Sequence, residues 1–276
     1  GSFGKEFTNY ILKNCKPKKL VIFSRDELKQ YEMMEKFHPS KFPVDYVIGD
    51  IRDKQRVINS SKGIDFLIHA AALKQVPTAE LNPFEFIKTN IIGSDNIIEA
   101  SKVNKIKKVI ALSTDKASSP INLYGATKLT SDKLFISSNH SDMEESFTKF
   151  SVVRYGNVLG SRGSVLPLFL KQKKEKFFTI TDPRMTRFFI TLSQGVNFVL
   201  NSLYQMKGAE IFVPKIPSIK ITDLAAAIDS KKNIKYIGVR PGEKLHEQMI
   251  SKDDAFYTLE KSLYYTILPS LPWWKR

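Results

Sequence analysis

The sequence predicts an α/β protein: a doubly wound parallel sheet followed by a smaller C-terminal α/β lobe. Three short apolar runs, KKLVIFSRD (18–26), GIDFLIHAAA (63–72) and KKVIALSTD (107–115), each end in polar residues, as buried parallel strands do. Between them apolar positions recur every three or four residues in KEFTNYILKN (5–14), RDKQRVINSSKG (52–63) and NPFEFIKTNIIGSDNIIEASKVNK (82–105). Strands alternating with helices form right-handed βαβ units. Ligands of such sheets sit at the carboxyl ends of the strands, where SRD, HAAALK and STDK fall. Residues 1–155 are assigned to the sheet domain, and residues 156–276 mainly to the smaller lobe with segments returning to the sheet.

Composition narrows the chemistry. A chain of 276 residues, 42% hydrophobic and 26% charged, is long enough to bury a substantial core. No apolar run reaches the roughly 18 residues of a membrane span, and no signal-peptide pattern opens the chain, so a cytoplasmic protein is expected. One cysteine permits no internal disulfide, and one cysteine with four scattered histidines builds no zinc cluster, so no metal is expected. A net charge of +15 raises the question of nucleic acid, but the lysines are spread out and no basic run is interleaved with aromatics. A solvated basic surface that suits anionic small ligands is the reading adopted, and no nucleic-acid partner is expected.

The chain opens on GSFGK, directly before a helical pattern. Gly1 and Gly4 have the spacing of the last two glycines of a dinucleotide fingerprint, whose backbone, here Gly1, Ser2, Phe3 and Gly4, would hold a pyrophosphate at a helix N-terminus. A Gly-Ser start also matches the scar of a removed tag, and Gly4 also serves as a helix cap. A central first strand and first glycine are expected to precede this loop in the native protein. At the end of the next strand, SRDELK offers Ser24, Arg25 and Lys29. These would surround a 2′-phosphate where a carboxylate would accept from a 2′-hydroxyl, which favours NADP over NAD. An N-capped helix start with ordinary surface charge has the same sequence.

The stretch STDKASSPINLYGATK (113–128) holds two acid–base devices. Tyr124 and Lys128 stand at i and i+4 of a helix, hence on one face, and a nearby ammonium would move the phenol towards working pH. That makes Tyr124 a candidate base for a sugar hydroxyl whose carbon loses hydride. Asp115 and Lys116, alone, would read as a solvated charge pair at a strand end. Beside Ser113, Thr114 and the YxxxK spacing they read as a second device, with burial raising the acid and depressing the amine.

YGATK after LSTDK, with HAAALKQVP, GDIRD, RYGNVLGSRGSVLP, FVPKIPSIKITDLA and RPGEKLHEQMI, resembles the extended short-chain dehydrogenase/reductase family. More narrowly, the motifs are similar to those of inverting UDP-N-acetylglucosamine 4,6-dehydratases of pseudaminic acid and capsular polysaccharide pathways. The resemblance implies a Rossmann fold, NADP, a UDP-sugar substrate and a homo-oligomer. It implies that Tyr124 takes the proton from the hydroxyl on carbon 4, that Lys116 removes the hydrogen on carbon 5, and that Asp115 protonates the hydroxyl leaving carbon 6. Thr114 would hydrogen-bond the carbon 4 hydroxyl. Asp50, Ile51, Ala70, Ala71, Ala72, Ser113, Tyr124 and Lys128 would line the cofactor. Lys74, Asn157, Val165, Leu166, Thr179, Arg187, Arg240 and Glu243 would hold the nucleotide sugar, although Arg187 and Arg240 taken alone read equally as surface ion-pair residues. Tyr124 separates this group from retaining dehydratases, which lack it. A 4-epimerase would share the fold, Tyr124 and Lys128, without a use for Asp115 and Lys116, and a nucleotide-sensing module would use none of the acid–base devices. His246 and Glu247 lack a second histidine at metal-binding spacing and read as structural. The PSLPWW tail is expected to pack on the lobe or on a neighbouring subunit.

Overall fold

The computed structural model describes residues 1–140, 147–161 and 163–271; residues 272–274 of the PSLPWW tail lie outside the described residues. The chain begins with α1 (Ser2–Asn14), β1 (Leu20–Ser24), α2 (Glu27–Lys36), β2 (Val44–Ile48), α3 (Lys54–Ser60) and β3 (Phe66–His69). Polar caps start these helices: Asp26 accepts from the Lys29 backbone N–H at 3.0 Å and Asp53 from that of Arg56 at 2.9 Å.

The periodic stretch 82–105 is not one helix. Preceded by α4 (Val76–Leu81), it divides into α5 (Pro83–Phe86), a π-helical turn over Ile87–Ile92, and α6 (Gly93–Val103). Pro83 supplies no N–H and starts a new helix after the non-helical Asn82, while the π turn inserts an extra residue and buries Thr89 and Asn90. Next come β4 (Lys108–Thr114), a 3₁₀ turn at Asp115–Ala117, α7 (Leu123–Ser137) and β5 (Lys149–Tyr155).

The second half contributes β6 (Asn157–Val158), α8 (Val165–Gln172), β7 (Phe178–Ile180), β8 (Thr186–Ile190), α9 (Leu192–Gln205) and β9 (Ile211–Pro214). It ends with β10 (Ser218–Lys220), α10 (Ile221–Ile228), β11 (Ile234–Tyr236), α11 (Lys252–Ala255), β12 (Thr258–Glu260) and β13 (Tyr264–Ile267).

A six-stranded sheet runs in the order β12-β13-β9-β5-β4-β3, parallel from β3 to β9 and antiparallel at β13 and β12. β1 and β2 form a separate parallel pair, and β6-β8-β10 and β7-β11 make two small sheets in the second half. The three apolar runs therefore meet different fates. Among the described residues β4 has ladder partners on both edges and is largely buried, while β1 pairs with β2 and β3 with β4, and both of these are half-buried with Phe66 exposed.

The main core packs Val109, Ile110, Phe150, Val152 and Val153 of the sheet against Phe135 of α7 and Val199 of α9. Each such side chain contributes about 1.5–3 kcal/mol by leaving water. A second cluster joins Phe169, Phe178, Ile180, Met185, Phe189, Ile221 and Ala225 of the C-terminal half. Among the described residues no helix is long and apolar enough to cross a membrane.

His69 ends β3 fully inside this core, its ring 5.7 Å from that of Phe135. Burial, reinforced by the charge of Lys128, holds its imidazole down at about 3. The folded state thus binds its proton more weakly than the unfolded chain, so this stability is full above about pH 6.5 and is lost as pH falls towards the folded value. Urea unfolding should show stability dropping by about 1.4 kcal/mol per pH unit below that point, and His69→Gln should flatten the slope.

Candidate active site

The strand end of β4, the 3₁₀ turn and the start of α7 bring the two acid–base devices together. The Asp115 side chain is 1% exposed. Its Oδ1 accepts from the Thr114 hydroxyl at 2.9 Å and from Lys116 Nζ at 3.1 Å, while its buried Oδ2 has no hydrogen-bond partner. Thr114 also caps the turn, accepting from the Lys116 backbone N–H at 3.4 Å. Tyr124 is buried beside Ala79 and Phe86, close enough to Thr114 for the threonine side chain to favour its phenolate.

Asn122 starts α7 by accepting from the Gly125 N–H at 2.8 Å. Gly125 is required by proximity: a Cβ there would overlap the Lys116 carbonyl oxygen and press on Pro120 Cβ at 3.0 Å. Gly125→Ala should therefore lower stability by about 1–3 kcal/mol in thermal or urea unfolding. Turnover should fall with it, because the group displaced is the backbone of Lys116.

The electrostatics correct two expectations. Tyr124 is not moved towards neutrality; burial pushes its phenol up to about 12, against the opposing pull of Lys116 and Thr114. The cation that most favours its phenolate is Lys116 and not its helical neighbour Lys128. Lys116 is not depressed either. Burial lowers its proton affinity, but the carboxylates of Asp115 and Glu247 outweigh burial and leave it above the ordinary lysine value. Lys128 is the depressed amine: it is buried, and the charge of Asp132 only partly offsets the loss of water.

The expected cofactor positions gather at the strand ends. Gly1 caps α1, and Ser2, Phe3 and Gly4 make its first turn, with the Phe3 ring stacked 5.8 Å from that of Phe7. At the end of β1, Ser24 accepts from the Asp26 N–H at 3.2 Å and Lys29 pairs with Asp26. Arg25 lies 3.6 Å from Asp50, which is also bound by Arg52 at 2.7 Å. Ile51 is buried under Gly93, and its carbonyl accepts from Asn96 at 2.9 Å. Ala70, Ala71, Ala72 and Lys74 lie exposed in the loop after β3. The Ser113 hydroxyl points away from that loop, donating to Asp132 at 2.7 Å.

Sequence reading passed over the residue that holds this loop. Asn90, inside the π turn, accepts from the Leu73 N–H and donates to the Leu73 carbonyl, both at 2.9 Å, and also donates to Thr127 Oγ1 at 3.0 Å. A π turn on a helix beside a strand end is the signal that would have pointed to it, since such turns recur at functional sites.

The expected substrate residues divide into two groups. Arg187, on β8, is buried, donates to the Thr186 and Leu245 carbonyls at 2.7 and 3.0 Å, and acts electrostatically on Lys116. Arg240 and Glu243 pair with each other at 2.5 Å, and their loop is tied to α7 by Asn122 donating to the Gly242 carbonyl at 2.8 Å. Glu243 Oε2 is buried without a partner. Asn157 lies half-buried in β6, and Val165 and Leu166 begin α8. Thr179 is engaged by Gln172, which accepts from its N–H at 3.0 Å and donates to its hydroxyl at 2.7 Å.

His246 lies with Nδ1 2.8 Å from the Thr186 hydroxyl, whereas Glu247 enters the site, its Oε1 3.3 Å from Lys116 Nζ. Among the described residues no group of three side chains could hold a metal ion.

The profile of a family described as polysaccharide biosynthesis protein matches residues 1–269. The chain is 56% identical over 273 residues to a UDP-N-acetylglucosamine 4,6-dehydratase (inverting) of Campylobacter jejuni, covering 98% of this chain and 81% of that protein. It is 43% identical over 275 residues to a UDP-glucose 4-epimerase of Rickettsia bellii, covering 97% of this chain and 80% of that protein. The crystal structure of Pen from Bacillus thuringiensis superposes with a TM-score of 0.93 at 39% identity, covering 98% of this chain and 87% of that one. The Rossmann-type sheet, the acid–base cluster at its edge and these matches together place the chain in the polysaccharide biosynthesis protein family, within the extended short-chain dehydrogenases/reductases.

Proposed function

We propose that this chain is an NADP-dependent lyase that converts UDP-N-acetylglucosamine to a 4-keto-6-deoxy sugar with inversion at carbon 5. The contact of Lys116 with Asp115 at 3.1 Å, beside Tyr124, carries the reading. A dehydrogenase working at one carbon needs one base; an elimination needs a second base and an acid. The identity to the Campylobacter dehydratase supports the same reading.

In this reading Tyr124 takes the proton of the carbon 4 hydroxyl, with Thr114 and the charge of Lys116 favouring the phenolate. NADP, when bound, accepts hydride from carbon 4 and returns it to carbon 6. The ketone at carbon 4 acidifies the hydrogen on carbon 5, which Lys116 removes, while Asp115 protonates the departing carbon 6 hydroxyl. Lys116 must then be neutral and Asp115 protonated. Passing one proton across their 3.1 Å contact produces both states at once. The unpartnered Asp115 Oδ2 is the oxygen left to face the leaving hydroxyl. Lys116 then returns a proton to carbon 5 on the opposite face, which restores its neutral amine and gives the inverted product.

The N-terminus of α1 suits the dinucleotide pyrophosphate and buried Lys128 its ribose, while Ser24, Arg25 and Lys29 would take its 2′-phosphate in exchange for their contacts with Asp26 and Asp50. Arg187 has no carboxylate within 4 Å among the described residues, which suits the diphosphate of the sugar nucleotide. A cytoplasmic homo-oligomer feeding a pseudaminic acid or capsule pathway completes the proposal. Incubation with UDP-N-acetylglucosamine and NADP in deuterated water, without reductant, should give a 6-deoxy-4-keto sugar carrying deuterium at carbon 5 by proton NMR. Unchanged substrate would sink the reading.

A further inference from the structure

We propose that Glu247 is a positioning residue for Lys116, clamping its amine together with Asp115 so that the base is presented in one place. The inference rests on Lys116 acting as the carbon 5 base. Lys116 Nζ lies 3.1 Å from Asp115 Oδ1 and 3.3 Å from Glu247 Oε1, and the Glu247 side chain is only 3% exposed. A lysine has four rotatable carbons, and one contact to its own neighbour would leave the amine free to swing; a second anchor from a distant segment fixes it.

That segment is itself pinned. Thr186 N–H donates to the Leu245 carbonyl at 3.1 Å, Arg187 donates to the same carbonyl at 3.0 Å, and Lys244 Nζ donates to the Ser118 carbonyl at 2.9 Å. Glu247 is therefore delivered between β8 and the turn that carries Asp115 and Lys116. A carboxylate so buried is costly unless paired, and its charged neighbours are Lys116 and, at 3.8 Å, Lys244.

The groups that act on Lys116 are Asp115, Glu247 and Arg187, with the phenol of Tyr124 beside it. Of these, Glu247 alone is an acid with no part in the proposed proton steps. Its charge holds the proton on Lys116 and so sets the pH at which the base becomes free.

Hydrogen exchange at carbon 5 of the 4-keto-6-deoxy product, followed by proton NMR in deuterated water with the NADP-loaded enzyme, isolates this step because it requires Lys116 and bypasses Tyr124. The wild-type rate should rise with pH as Lys116 loses its proton. Glu247→Gln, which keeps size and removes charge, should move that rise about one pH unit towards acid and lower the plateau several-fold as the amine loosens. Glu247→Asp should move it part of the way in the same direction and retain more of the plateau, which supplies the test if the glutamine variant does not fold. A rise at the wild-type pH in both variants would overturn the inference, since a purely structural glutamate would change yield or plateau alone. Lys116→Met, run beside them, separates the two claims: exchange that persists without the amine overturns the base assignment itself.

Discussion

Lys116→Met is expected to lower formation of the 4-keto-6-deoxy product about 10³-fold, within the usual contribution of a positioned base, while oxidation at carbon 4 remains measurable as a change in nicotinamide absorbance on mixing with substrate. Methionine keeps most of the volume and removes the amine that contacts Asp115 at 3.1 Å. The two half-reactions then differ in degree: oxidation loses the charge of Lys116 beside Tyr124 but keeps Tyr124 and Thr114, whereas elimination loses its base. Product analysis distinguishes the readings shared by this fold. A 4-epimerase, as the Rickettsia relatives are named, would use Tyr124 and Lys128 and keep its activity in this variant. Cofactor binding measured alongside shows that the variant is folded.

Arg154→Leu is expected to cost about 3–5 kcal/mol, the usual penalty for removing one member of a buried ion pair. Arg154 is 1% exposed and joins four segments: it lies 3.4 Å from Asp132 of α7, 3.1 Å from Asp254 of α11, and donates to the Met249 carbonyl at 3.2 Å from β5. Asp132 meanwhile accepts from Ser113, and burial already pushes its carboxyl above the ordinary value despite the opposing charges of Arg154 and Lys128. Without the guanidinium that acid is left inside the protein with less compensation. For a chain of this size the loss corresponds to a fall in Tm of about 10 °C. Asp132→Asn in the same chain should recover part of it, and additive losses would show that the two side chains are not coupled.

Much of the sheet was legible because apolar runs and their polar ends are local properties. KKVIALSTD encoded both a buried strand and the place where its chemistry would lie, and β4 with its 3₁₀ turn delivers Thr114, Asp115 and Lys116 there. What the sequence withheld depends on partners far along the chain. The depressed proton affinity expected of Lys116 required burial alone, but a glutamate 131 positions later enters the same space and reverses its sign. Likewise the helical spacing of Tyr124 and Lys128 shows a shared face, not which cation reaches the phenol, and Lys116 acts there more strongly from the preceding turn.

The clamp made by Asn90 specifies the loop by polarity and not by size. Its oxygen faces an N–H and its nitrogen faces a carbonyl of the same residue, Leu73, while the second hydrogen of that nitrogen reaches Thr127. Turning the amide over would set donor against donor and acceptor against acceptor. Aspartate, equal in shape, would press an oxygen on the Leu73 carbonyl. One nitrogen atom on a helix thus keeps the edge of the dinucleotide cleft in register with the helix that bears Tyr124 and Lys128.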